Sequence, residues 1–342
     1  MLQMLLRRFI FVCTASIQFI IVSINCYGQS TSNIRPAIKE IVEKIASYNI
    51  LENYIVAGAK AGQSTQWKRF LAIKDQATEQ ELIVLTKYNN PIVRCYAFLA
   101  LTNRKSKEIF PVLIDHLTDT QFVVTLQFDN EDEIRVGDFF YFITADKISI
   151  KEKNKVDSML LYNDNIILQA KNNLIKKLNN DSSKYKRIRA IAIKQKDPDV
   201  IVSLAKFHNK QDIPIIKILL TSKDDSLVYY GLWAVRNFPD SAFFPNIVDI
   251  HSNYLRETPT IDHVLLRMLY QAIVQYKNEA SRQLLQKSLS STIHYNLTHR
   301  QLIWLAIEKY PDQIYNGLQD KAFLTEEDRN AMRYEMDAAN DK

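Results

Sequence analysis

The chain has 342 residues, of which 47% are hydrophobic, and its formal net charge is +6. It contains only six glycines, whereas sandwiches and barrels need many turn glycines and phosphate-binding loops need clustered ones. This composition argues against an all-β fold and leaves no nucleotide-binding fingerprint. The modest positive charge alone indicates no particular partner.

The first residues have the layout of a secretory signal peptide. Arg7 and Arg8 precede an apolar stretch over 9–24, and small and polar residues follow it. We expect cleavage after Gly28, which makes residues 1–28 the signal peptide and places the mature chain in the periplasm or outside the cell. The two arginines account for two of the six net charges, so the mature chain keeps +4.

The cysteines agree with an exported product and leave one alternative open. Cys13 and Cys26 lie in the leader, so Cys95 is the one cysteine of the mature chain and no intramolecular disulfide is available. We expect Cys95 to be a small buried core residue. In the alternative, Cys26 carries the anchor of a lipoprotein, although Asn25 stands where such sites usually have Gly, Ala or Ser. In the remaining possibility the leader is not cleaved and anchors the chain in a membrane, although its apolar run is short for a membrane span.

Taken in chain order, apolar residues recur at helical spacing over most of the chain. No Ser/Gly/Pro-rich linker divides the pattern, which predicts a single elongated domain over 29–342. The predicted helices cover 34–51, 80–88, 92–101, 106–117, 166–178, 188–193, 200–207, 213–220, 227–235, 243–254, 262–276, 279–290, 299–310 and 325–337.

Residues 118–150 interrupt this helical pattern and predict a small insert. The segment Phe122–Phe128 is β-branched and aromatic, which favours a short strand. Acidic residues at 129–133 form the predicted turn, 134–136 pairs back as a hairpin, and 139–143 begins the next helix. The acidic turn lacks the glycine and the terminal glutamate of an EF-hand loop, which favours a solvated hairpin tip over a calcium site.

Two stretches of the chain repeat each other, which is typical of repeat architectures and favours a binding scaffold over an enzyme. Adding 134 to the position of one residue gives the matching residue of the second stretch. The pairs are Tyr96 and Tyr230, Ala100 and Ala234, Asn103 and Asn237, Phe110 and Phe244, Pro111 and Pro245, and Asp115 and Asp249.

Residues 91–119 resemble the HEAT-repeat family. Val93, Arg94, Ala97, Ala100 and Leu101 match its first-helix pattern, and Phe110, Pro111, Leu113, Leu117 and Asp119 match its second. The match is partial at 188–192 and 300–307. The resemblance implies an all-α fold, an α-α superhelix or solenoid, here with the small β-hairpin insert, and protein–protein scaffolding by an extended surface. It also implies that Arg94, Arg189 and Arg300 are structural residues.

The chain has no recognisable catalytic constellation. Its six histidines form no His-Glu-x-x-His box and no Cys/His cluster, and a Gly-x-Ser-x-Gly elbow is missing. We therefore expect no catalytic residue, no metal and no cofactor.

A basic segment over 171–196 provides the candidate binding residues. Nine basic residues stand against Asp181 alone, a balance of +8, although such a run is more often a solvated helix face with a charged loop. Three functions follow, in this order: an exported non-catalytic scaffold that binds a protein, an envelope protein that binds lipid or glycan through this segment, and a HEAT-like nucleic-acid enzyme. The export signal argues against the third. The candidate residues are Lys171, Lys176, Lys177, Lys184, Lys186 and Arg187.

Overall fold

The computed structural model describes residues 34–56, 62–128, 130–178, 181–255, 262–291 and 296–338. The predicted signal peptide and Cys26 lie outside these residues. The described chain is mostly helical with one small sheet, which confirms the all-α class with a small β insert. Its contacts group into two compact units, Met1–Lys171 and Asn172–Lys342, where the sequence predicts one domain. None of the described helices is both long enough and apolar enough to cross a membrane.

The elements of the first unit are α1 (Pro36–Tyr48), β1 (Leu51–Val56), β2 (Gly62–Gln63), α2 (Thr65–Gln76), α3 (Glu79–Leu85), α4 (Pro91–Asn103), α5 (Ile109–His116), β3 (Phe122–Phe128), β4 (Asn130–Arg135), α6 (Val136–Ile143), α7 (Ile150–Tyr162) and α8 (Gln169–Leu178), the last of which crosses the division between the units. Three of these helices pack side by side in a row, α2 against α4 and α4 against α6. Helix α1 packs on α2 and α4, and α3 packs on α4.

Helix α4 is the centre of this unit because ten of its thirteen residues are buried. A helix that is apolar on all sides is stable only when other elements surround it. The side chain of Asn90 accepts hydrogen bonds from the first free backbone N–H groups, and Pro91 occupies the first turn, where it costs no hydrogen bond. Cys95 is fully buried, as the sequence predicts, and burial raises the pKa of its thiol.

The sheet has four strands in the order β2-β1-β3-β4. The predicted strand at Phe122–Phe128 is confirmed, but β3 also pairs in parallel with β1, so the hairpin is one half of a larger sheet. The sequence prediction placed Leu51 at the end of a helix, and this was wrong because Asn49 ends α1 in the left-handed conformation. The predicted acidic turn is also wrong: Gln127 pairs with Asn130, so Glu131 to Glu133 lie on β4.

The elements of the second unit are α9 (Tyr185–Gln195), α10 (Pro198–Ala205), α11 (Ile213–Leu220), α12 (Asp225–Asn237), α13 (Phe244–Tyr254), α14 (His263–Val274), α15 (Glu279–Leu289), α16 (Asn296–Lys309) and α17 (Glu326–Ala338). Helices α10, α12, α14 and α16 form a continuous row in which each helix packs against the next. Helix α9 packs on α10, as α11 packs on α12.

The repeat predicted from the sequence corresponds to equivalent helices in the two units. Both α4 and α12 contain 13 residues, and their ends are 134 positions apart (225 − 91 and 237 − 103). Each begins after a capping residue, Asn90 in one and Asp224 in the other. Ala100 and Ala234, which the repeat aligns, are both fully buried. Small residues at these positions let neighbouring helices approach closely.

Candidate functional site

The second unit has an apolar groove between α9 and α11. Its volume is about 420 Å³. Ile193 forms one wall, and Pro214, Ile215 and Ile218 form the other. The floor consists of Ile201 from α10 and Leu227 from α12.

Helix α11 is apolar on two faces, and this creates the groove. Ile216, Leu219 and Leu220 are buried in the core, while Ile218 on the opposite face keeps 64% of its surface exposed. Across the groove, Ile193 is 47% exposed. Large apolar side chains grouped around an open depression are typical of surfaces that bind another molecule.

The turn between α9 and α10 places a lysine at one end of the groove. Lys196 ends α9 in the left-handed conformation, with φ 52°, and its backbone N–H donates to the carbonyl of Ala192. Asp197 then caps α10 through the N–H groups of Asp199 and Val200. Pro198 enforces the break because it cannot continue a helix from the preceding residue. Among the described residues, Lys196 forms no ion pair.

Arg189 lines the same groove, but a buried carboxylate holds it. Its Nε lies 2.8 Å from Oδ1 of Asp212, and the hydroxyl of Tyr185 donates to the same carboxylate. Burial raises the pKa of Asp212, while the hydrogen bonds from Arg189 and Tyr185 act in the opposite direction. This cluster links α9 to the turn before α11.

The predicted binding residues do not all lie on one surface. Lys171 is fully buried, and its Nζ donates to the carbonyls of Asn163 at 3.0 Å and Ile166 at 2.9 Å. It belongs to the interior and presents no charge to a partner, so its assignment to the basic surface was wrong. Lys176 pairs with Asp199 at 2.8 Å. Lys177 and Lys186 are exposed, and Lys184 and Arg187 are half-buried.

Two of the three motif arginines bind carbonyls or carboxylates of the chain. Arg94 donates to the carbonyls of Tyr88 and Asn89, and its Nε lies 3.0 Å from Asp119. Arg189 holds Asp212 as described above. Arg300 differs, because its guanidinium lies over the ring of Phe323, 5.9 Å from the ring centroid.

Two buried histidines form a polar cluster in the second unit. His251 Nε2 lies 2.7 Å from the hydroxyl of Ser288, and His299 Nδ1 lies 2.5 Å from that of Tyr270. Burial lowers the pKa of each histidine to about 4. All four side chains are closed to solvent, so a substrate has no access to them. In the part of the chain that the structure describes, no group of three His, Cys, Asp or Glu side chains could hold a metal ion.

Comparison with known proteins assigns no family to the chain. No family model matches it, and neither a curated protein nor a solved structure does.

Proposed function

We propose that the chain is an exported, non-catalytic scaffold with a HEAT-like architecture, and that it binds a protein partner through the α9–α11 groove. The observation that carries this proposal is the pair of exposed isoleucines, Ile193 and Ile218, above an apolar floor. Covering an isoleucine that is already half-buried contributes roughly 1 kcal/mol. Several such side chains in one groove can therefore drive association.

Site-specific crosslinking in the native cell tests this proposal. A photoreactive benzoylphenylalanine replaces Ile218, and a control variant carries it at Ile150, an isoleucine that is 80% exposed in the first unit. We expect a discrete protein adduct from position 218 and none of the same mass from position 150. Identical adducts from both positions, or none from position 218, contradict the proposal.

A second candidate function is binding of an anionic envelope lipid or glycan by the basic segment. It is supported by the exposed positions of Lys177 and Lys186 and by the half-buried Arg187 beside them. Charged surfaces of this kind attract anionic membranes within about one Debye length. Replacing Lys176, Lys177, Lys186 and Arg187 by glutamate should abolish sedimentation with phosphatidylglycerol vesicles, and unchanged sedimentation rejects this function.

A further inference from the structure

We infer that the groove receives a short amphipathic helix whose apolar face is flanked by carboxylates. This inference rests on the proposed function and specifies the chemistry of the partner.

The dimensions of the groove suit two to three turns of helix. At about 1.5 Å per residue, α9 is roughly 16 Å long and α11 roughly 12 Å long. Two helical walls above an apolar floor form the kind of groove into which an amphipathic helix inserts its apolar side chains. The two exposed isoleucines lie on opposite walls, where both can contact the same inserted face.

The open top of the groove argues against a small apolar ligand. Sites for such ligands usually enclose about 70–90% of the ligand surface. Here Ile218 remains 64% exposed on the wall, and Pro214 is exposed as well. A ligand lying in this groove keeps one side open to water, which suits a helix with a polar outer face.

The walls also exclude an extended peptide that pairs by strand addition. That mode requires an edge with unpaired backbone N–H and C=O groups. The backbone groups in the middle of α9 and α11 are used within the helices. An extended partner therefore gains no backbone hydrogen bonds from these walls, whereas a helix satisfies its own.

The basic rim of the groove, formed by Arg189 and Lys196, determines which charge the partner should carry. Two basic residues line the groove, Arg189 and Lys196, and no acidic residue does among those that the structure describes. Arg189 already pairs with the buried Asp212, whereas Lys196 is exposed and forms no ion pair with a described residue. A partner with flanking Glu or Asp gains attraction at this rim, whereas a basic amphipathic helix meets like charge.

Designed peptides test the inference with the full-length chain. The probe is a fluorescein-labelled peptide of about 16 residues, with leucines at i, i+3, i+4 and i+7 and glutamates beside them. One control has the same composition in scrambled order, and another replaces every glutamate by lysine. Fluorescence anisotropy measures affinity, and circular dichroism measures the helix content of the bound peptide.

We expect the acidic peptide to bind at least about tenfold more tightly than either control and to gain helix content on binding. Ile218→Glu should abolish binding, and Ile218→Ser, which adds no charge, should weaken it about tenfold. Because Ile218 is largely exposed, both variants should keep the melting temperature of the wild type. Lys196→Glu should weaken the acidic peptide and strengthen the lysine peptide.

Equal binding of the scrambled or the lysine peptide overturns the inference, as does unchanged affinity in both Ile218 variants. Binding of phosphatidylglycerol vesicles that Ile218→Ser removes, without peptide binding, also overturns it in favour of a lipid. If position 218 still crosslinks to a discrete protein while the acidic peptide fails, the partner chemistry is wrong and the proposed function stands. If position 218 gives no protein adduct and the acidic peptide does not bind, both the proposed function and this inference are contradicted.

Discussion

Gly231 lies so close to Leu220 that a Cβ atom at position 231 would come within 2.9 Å of the Leu220 backbone nitrogen. The two residues bring α11 and α12 into contact, and α11 is one wall of the groove. The equivalent position in α4 is Ala97, so the repeat allows only a small residue here.

We expect Gly231→Ala to lower the free energy of unfolding by about 1–3 kcal/mol, because the two helices must move apart. The sign of this change is informative, because alanine at an uncrowded helix position raises the free energy of unfolding by about 1 kcal/mol relative to glycine. Urea unfolding measures the change. A variant more stable than the wild type contradicts the close approach.

Lys171 should behave as a structural residue. In Lys171→Met the side chain stays long and unbranched but no longer donates to the carbonyls of Asn163 and Ile166. We expect a loss of about 1–3 kcal/mol in the free energy of unfolding. Lys177→Met is the matched control, because Lys177 is exposed, and it should change stability by less than about 0.5 kcal/mol. Equal effects of the two substitutions contradict the buried position of Lys171.

Acid should destabilise the second unit in a defined pH range. The pKa of His251 and of His299 is about 4 in the folded chain, against 6.5 for an exposed histidine, chiefly because burial disfavours the charged form. The unfolded chain therefore takes up protons first, and stability falls as the pH drops from 6.5 towards 4. The difference is equivalent to roughly 3 kcal/mol per histidine at the acid end.

Tryptophan fluorescence of a Trp67→Phe variant follows this effect in the second unit, which contains Trp233 and Trp304. Urea unfolding between pH 7 and pH 4.5 gives the slope of stability against pH. His251→Gln and His299→Gln should each flatten that slope, whatever their stability at pH 7. A slope that both variants leave unchanged assigns the acid sensitivity to other groups.

Substitutions of Lys196 should distinguish the effect of its charge on peptide binding from the effect of its backbone conformation on stability. The lysine has φ 52°, a conformation that costs a non-glycine residue about 1 kcal/mol. Glycine should therefore raise the free energy of unfolding by about 0.5–1 kcal/mol while it weakens binding of the acidic peptide. Lys196→Ala removes the same charge without relieving the backbone, so it should weaken binding and bring no gain in stability. A glycine variant less stable than the alanine variant contradicts this account.

Most helices were predictable because their apolar faces recur at helical spacing, and the breaks at Pro198 and near Asp212 were predictable from turn residues. Helices α2 and α7 were missed because their buried faces are narrow. In α7, only Val156, Leu160 and Leu161 are buried among thirteen residues. Strand β1 was missed because its partner lies in a distant segment, and local sequence carries no signal of that pairing.

The groove was harder to predict than the fold. The apolar run of α11 indicates a buried helix, and sequence alone cannot show that Ile218 remains exposed while Leu219 beside it is buried. The basic run includes Lys196, which lines the groove, but it also includes Lys171, which is buried. A count of charges along the chain also omits Asp199 and Asp212, which neutralise Lys176 and Arg189 from neighbouring segments.

The parallel pairing of β1 with β3 joins Leu51 to Thr125, a separation of 74 residues (125 − 51). Closing so long a loop costs entropy before any strand contact repays it, whereas each helix of the α10–α16 row meets its neighbour soon after it forms. We therefore expect the first unit to fold in one late, cooperative step and the second to propagate from helix to helix. On the ribosome, the edge of the strand at 51–56 that pairs with β3 stays unpaired until residues 122–128 emerge, so this edge remains exposed to chaperones while the intervening helices are synthesised.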